Sequence, residues 1–305
     1  MVKDRSVRVL PTFVVCLSLV VLLAASVGGP PGMAAAGAVA VGLPRFDTAA
    51  AGEGRATWVW TRPAPRALVR FAHRHGVRDL FLHVPPGFDT SPDRRWVRRV
   101  AALARPGGLR LHALGGDPGW TTDTDAAVAW QRDVLASGLF RRIHIDIEPW
   151  ALPEWETNRP WLVTAYLRTL AALADAGGGA RLEADVPFWF PGLRTRAGVP
   201  VDDAVLRIVD AVTVMTYRTR VAGRDSIVGL GRPTLRSGVA AGRPVRLAVE
   251  TRHLGDDPVA KKQTFHDHGK AVLTAALRRV DRRVGSVDSY AGISVHDVAG
   301  WRALR

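Results

Sequence analysis

Eight short strand-like runs alternating with helical patterns constrain this chain more than any other feature of its 305 residues. The runs are Thr57–Trp60, Asp79–Val84, Leu109–Leu114, Arg142–Glu148, Arg181–Pro187, Ala211–Tyr217, Val245–Glu250 and Gly292–His296. Helical patterns stand between most of them, at Pro65–His75 before Gly76, Thr124–Ala136 before Gly138, Arg159–Ala176 before Gly177, and Lys261–Val280. A glycine just past the last periodic residue is a helix stop. Strands that alternate with helices build a parallel sheet covered on both faces. Eight such units over about 265 residues (41–305) suit a single α/β domain, a (β/α)8 TIM barrel. Periodicity alone does not establish closure, so a doubly wound open sheet is the alternative. No G-x-G-x-x-G or phosphate-loop motif accompanies it. The glycine-rich stretch Gly223–Ser237 breaks the pattern and reads as a long loop after the sixth strand.

Residues 1–40 read differently. Lys3, Arg5 and Arg8 precede an apolar run from Val9 to Val27, and small residues with A-x-A patterns follow between Ala34 and Ala40. That order is a secretory signal peptide, and a run of this length left uncleaved would anchor the chain in a membrane. The expectation is a secreted protein, or one held at the outer face of the cytoplasmic membrane. Cys16 is the only cysteine, so loss of the segment excludes disulfides, thiol catalysis and cysteine metal sites. The net charge of +14 falls to +12 once Lys3, Asp4, Arg5 and Arg8 are gone. Such a surface favours polyanions, among them acidic polysaccharide, unless arginine merely populates solvated helix faces. Export and the lack of any nucleic-acid-binding motif argue against nucleic acid as a partner. No amphipathic stretch exceeds what the barrel helices need, so a monomer is expected.

The fourth run carries the chemistry. In Arg142-Ile143-His144-Ile145-Asp146-Ile147-Glu148-Pro149-Trp150 the isoleucines share one face, and His144, Asp146 and Glu148 share the other. A covered strand with three titratable groups on one face points to catalysis. Active sites of such barrels lie at the C-terminal strand ends. There the same phase places His83, Glu183, Asp185, Thr213, Met215, Tyr217, Glu250 and His296. Converging carboxylates suit acid–base cleavage of a glycosidic bond. Glu148 is the candidate proton donor: it ends its strand, and Asp146 lies two residues away, where shared negative charge raises one pKa.

These residues resemble the chitinase-like barrel glycosidases, family eighteen, which carry D-x-x-D-x-D-x-E on strand 4. Asp146-Ile147-Glu148 keeps the end of that motif, with His144 at the preceding aspartate position. Leu114-Gly115-Gly116 matches the glycine pair ending strand 3, and Met215-Thr216-Tyr217-Arg218 matches M-x-Y-D with arginine last. The resemblance implies Glu148 as the acid, with Asp146 and Tyr217 steadying a substrate N-acetyl group that attacks its own anomeric carbon. A second likeness is to the retaining barrel glycosidases with an acid/base glutamate after strand 4 and a nucleophilic glutamate on strand 7. It makes Glu250 a covalent nucleophile, provided the two carboxyls lie about 5–5.5 Å apart. Glu250 could instead hold a substrate hydroxyl or pair with Arg218. Both schemes leave Glu148 as the acid.

Trp60, Trp120, Trp150 and Trp189 fall at strand ends, where aromatic faces stack on sugar rings. With His83, His144, Asp185, Met215, Arg218 and His296 they form the expected substrate-binding set. His83, His112, His144, Asp146 and His296 could also supply metal ligands, but no H-E-x-x-H occurs, and no metal or cofactor is expected. The reading is a secreted glycoside hydrolase acting on a polysaccharide or glycan, an anionic one if the basic surface serves substrate capture. The competing readings are a carbohydrate-binding barrel without turnover and a metal-dependent hydrolase.

Overall fold

The computed structural model describes residues 54–305, and the segment read as a signal peptide lies outside them. Eight parallel strands close into a barrel in chain order. They are β1 (Arg55–Val59), β2 (Val77–His83), β3 (Arg110–Gly115), β4 (Arg142–Ile145), β5 (Arg181–Pro187), β6 (Ala211–Met215), β7 (Val245–Glu250) and β8 (Tyr290–His296). Closure removes the open-sheet alternative, and all eight expected strands are present with ends shifted by a few residues. The helices α1 (Pro65–Arg74), α2 (Asp93–Ala104), α3 (Thr124–Ala136), α4 (Trp155–Ala176), α5 (Val201–Leu206), α6 (Ile227–Ala241), α7 (Pro258–Gln263), α8 (Gly269–Val284) and α9 (Val298–Ala303) pack around it. Among the described residues no helix is long and apolar enough to cross a membrane.

Period two along each strand divides the residues between two environments. Leu80, Leu82, Ile143, Ile145, Ile147, Val212, Val214, Leu247 and Val249 join the large core between sheet and helices. Ala56, Trp58, Phe81, Leu114 and Ala248 form a separate apolar cluster in the lumen, with Trp60 and Tyr217 against it. The lumen also receives the charged residues, and register brings them together. Asp79 lies beside Arg110, His144 beside Glu183, and Glu250 beside His296.

Two helices depart from expectation. Residues 227–241 form α6 where a loop was expected. Glycine and proline disfavour a helix, but a Cβ on Gly231 would sit 2.3 Å from Leu247, and one on Gly238 would sit 2.5 Å from Val245. The glycines let α6 lie close on β7, and tertiary packing overrides local preference. The single helix expected over Lys261–Val280 is instead α7 and α8, broken around Gly269 at φ +79°. In the break, Thr264 bridges to Glu250 and the Phe265 N–H donates to the Glu250 carbonyl at 2.9 Å.

Candidate active site

The lumen is best built from its floor. Asp79 accepts two hydrogen bonds from Arg110 (2.6 and 2.7 Å), one from Arg246 (2.6 Å), and lies 2.9 Å from His112 Nε2. Glu183 pairs with Arg246 and Arg181, each at 3.3 Å, and with His112 Nδ1 at 3.5 Å. Burial opposes ionisation of both carboxyls, yet Arg246, Arg110 and His112 hold Asp79 well below the usual range. His112 and Arg246 do the same for Glu183. Buried charges persist only when paired in this way.

Above the floor, His144 Nε2 lies 3.0 Å from Asp185 Oδ1, and the Trp58 indole N–H donates to Asp185 Oδ2 at 3.0 Å. Phe81 stacks on the His144 ring with centroids 3.7 Å apart. Burial disfavours the imidazolium, but Asp185 and Glu183 overcome it and raise the His144 pKa to about 9. His144 and Asp185 are therefore internal, 0% and 1% exposed. They lie beneath the residues of the mouth.

The mouth differs. Asp146 and Glu148 follow β4, and neither carboxyl takes a hydrogen bond or ion pair from a described residue. Asp146 Oδ1 is buried without a partner. The glycine pair places them. A Cβ on Gly116 would sit 2.1 Å from the Asp146 carbonyl oxygen, and the Asp146 N–H donates to the Gly115 carbonyl at 2.9 Å. Burial, then the Asp185 charge, pushes the Glu148 pKa up to about 7, against a lowering influence from His296. Burial, Asp185 and Glu148 together raise Asp146 well above the usual carboxylate range. Burial and the carboxylates Glu250, Asp185, Asp146 and Glu148 hold the Tyr217 pKa far above the ordinary phenol value. Tyr217 is thus a phenol, a hydrogen-bond donor among carboxyls.

Glu250 is tied down. Its Oε1 accepts from the Thr251 and Arg252 N–H groups, both at 2.7 Å, and its Oε2 lies 2.8 Å from His296 Nδ1. Trp60 Nε1–H points at His296 Nε2 at 2.9 Å. Burial disfavours the imidazolium, but Glu250 overcomes it and raises the His296 pKa. In the neutral ring Nε2 accepts the Trp60 N–H and the proton sits on Nδ1, facing Glu250. The alternative pairing of Glu250 with Arg218 does not form, since Arg218 binds Asp225 at 2.6 Å and lies over Phe188.

Trp60 and His83 pack together at 5.5 Å on the rim of the lumen cluster, and both are partly exposed, as is Met215. Trp150 and Trp189, also partly exposed, meet edge to face at 5.4 Å after β4 and β5. Trp120 is the exception: it is 8% exposed and packs on Trp130 in the sheet–helix core. His112, His144 and Glu183 each offer an atom within 4.8 Å of the others. A cation there would displace Glu183 from Arg246 and sit among arginines, so the donor set fits ion pairing better than a metal. The sequence reading overlooked Asp79, Arg110, Arg246 and Trp58. Their signal was available, since Asp79 is in phase with His83, and Arg246 with Glu250.

No family model matches the chain, and no curated protein matches it. Solved structures do. A chitinase from Chromobacterium violaceum ATCC 12472 shares 11% identity at TM-score 0.53, over 83% of this chain and 98% of that one. A chitinase from Bacteroides thetaiotaomicron shares 11% at TM-score 0.55, over 82% and 90%. A family-eighteen chitinase from Cycas revoluta, in complex with (GlcNAc)3, shares 14% at TM-score 0.50, over 81% and 95%. At these identities the likeness is one of fold.

Proposed function

We propose that this barrel is a glycoside hydrolase of the chitinase-like kind, acting outside the cell on a glycan that carries N-acetylated sugars. The observation that carries the reading is Glu148: a carboxyl at the mouth, without a partner among the described residues, whose pKa of about 7 lets it hold a proton at neutral pH. Its neighbours support a substrate-assisted route. Asp146 has a free carboxyl and Tyr217 a neutral hydroxyl, whereas both Glu250 oxygens are engaged. A nucleophile needs a free oxygen, so Glu250 serves better as the group that orients His296 and, through it, Trp60.

In this scheme Glu148 gives its proton to the glycosidic oxygen as the bond to the anomeric carbon breaks. The acetamido oxygen of the same sugar forms a bond to that carbon. Tyr217 donates to the acetamido oxygen beforehand, and an Asp146 oxygen accepts from the acetamido N–H. Water then attacks the anomeric carbon, the bond to the acetamido oxygen breaks, and the Glu148 carboxylate takes a proton from the water.

The test is product detection by mass spectrometry on neutral, N-acetylated and acidic glycans, with the protein beside its Glu148→Gln and Glu250→Ala variants. Cleavage of the N-acetylated glycans is expected, lost in Glu148→Gln and not rescued by azide in Glu250→Ala. Azide rescue would move the mechanism to a covalent intermediate on Glu250. Retention of a glycan by the protein and by Glu148→Gln, without cleavage by either, would make this a binding barrel.

A further inference from the structure

The outer surface between α6 and α8 carries a feature that the lumen chemistry does not use. Two adjoining concavities of about 320 and 400 Å³ share Arg283. The first is lined by Arg224 and Arg232, with the backbone of Gly223 and Gly229 beneath, and the second by Arg279 and Arg282 against Val221. No acidic residue lines either. All five arginines are exposed, and none of their guanidinium groups bonds to another described residue. The acids nearest in sequence are engaged elsewhere: Asp225 by Arg218 and Lys262, and Asp281 by Arg55 and Tyr290. Arg279 and Arg283 stand four apart on α8, a spacing at which like charges destabilise a helix.

An ordinary solvated face intersperses both signs, and its loops are free to adapt. Here the floor is built. The Ser226 hydroxyl donates to the Gly223 carbonyl at 2.7 Å and accepts the Gly229 N–H at 3.0 Å. The Ile227 N–H donates to the Arg220 carbonyl at 2.9 Å. A Cβ on Gly229 would sit 2.1 Å from the Gly223 carbonyl oxygen, so the loop presses directly onto the helix. Guanidinium groups with no partner among the described residues, set over this fixed backbone, match carboxylate or phosphate oxygens bidentately.

We propose that this arginine cradle binds a polyanionic glycan, through carboxylate or phosphate groups spaced along its chain, at a site separate from the barrel mouth. The choice of a glycan over other polyanions rests on the glycosidase reading. The cradle itself does not. It would hold the enzyme on charged polymer while the mouth works on another segment.

The test measures binding by the full chain carrying Glu148→Gln, so that turnover plays no part. The probes are polygalacturonate, a phosphomannan, a neutral xylan and single-stranded RNA, each at low and high salt. Saturable, salt-sensitive binding to one or both anionic glycans and none to xylan is expected. The double variant Arg232→Gln/Arg283→Gln should weaken it about tenfold or more, as loss of charge-assisted bonds implies. Arg66→Gln/Arg70→Gln on α1 removes the same charge elsewhere and should change binding less than about twofold. Equal weakening by both double variants would overturn the cradle in favour of net charge, as would no binding to either anionic glycan. Tighter binding to RNA than to both glycans would overturn the choice of partner while leaving the glycosidase test untouched.

Discussion

The floor and the mouth of one lumen treat their carboxyls in opposite ways. At the floor, Asp79 and Glu183 are ringed by Arg110, Arg181, Arg246 and His112, and both are held ionised. At the mouth, no cationic side chain among the described residues is bonded to Asp146 or Glu148, and burial with the Asp185 charge keeps them protonated to higher pH. The same residue type is thus held charged at one level and kept protonated to higher pH at the other. His144 joins the two levels. It stands where the resemblance expects an aspartate, and it binds Asp185 above and Glu183 below. The negative charge lost from β4 at that position is present next door, on β5.

That contrast breaks most visibly at the floor. Arg246→Met leaves Asp79 and Glu183 short of their shared cation, and loss of one partner from a buried ion network costs about 3–5 kcal/mol. Denaturant unfolding at pH 7 would read this. An unchanged midpoint would show that the floor is solvated rather than sealed.

The mouth answers with the opposite sign. A carboxyl whose folded pKa is raised costs stability as pH climbs from its unfolded value toward the folded one. For Glu148 that window runs from the ordinary glutamate value of 4.5 to about 7. Glu148→Gln should therefore unfold at higher denaturant than the parent at pH 8, by on the order of 1–3 kcal/mol, and show little difference at pH 4. The His144 contribution has a different window, fully present below 6.5 and lost as pH rises through about 9. Equal midpoints for parent and variant at pH 8 would mean that Glu148 is not destabilised by its site.

The smallest effect expected is the most diagnostic of coupling between levels. Asp185→Asn removes a charge that raises Glu148, so the alkaline limb of turnover, set by loss of the Glu148 proton near pH 7, moves to lower pH. A limb that stays in place would disconnect Asp185 from the acid.

Much of this was legible in the chain. Period two from Arg142 to Glu148 separates isoleucines from ionisable residues because a strand has only two faces, and the same arithmetic locates Tyr217, Glu250 and His296. Asp79 and Arg246 follow the same phase but look incidental in short apolar runs, since only barrel closure brings β2 and β7 across the lumen to one another. Helix α6 was hidden because Gly231, Pro233 and Gly238 disfavour a helix locally, and its stability comes from contact with Leu247 and Val245. Trp120 and Trp150 look alike at strand ends, and only the packing of α3 against the sheet buries the first.

Everything proposed for the mouth turns on a protonated acid at Glu148. Carboxyl-labelled carbon NMR across pH 4 to 9, comparing the protein with its Glu148→Gln variant, reads that group directly. One resonance, absent from the variant, should titrate near pH 7. A Glu148 resonance titrating at the usual glutamate value, about 4.3, would contradict it.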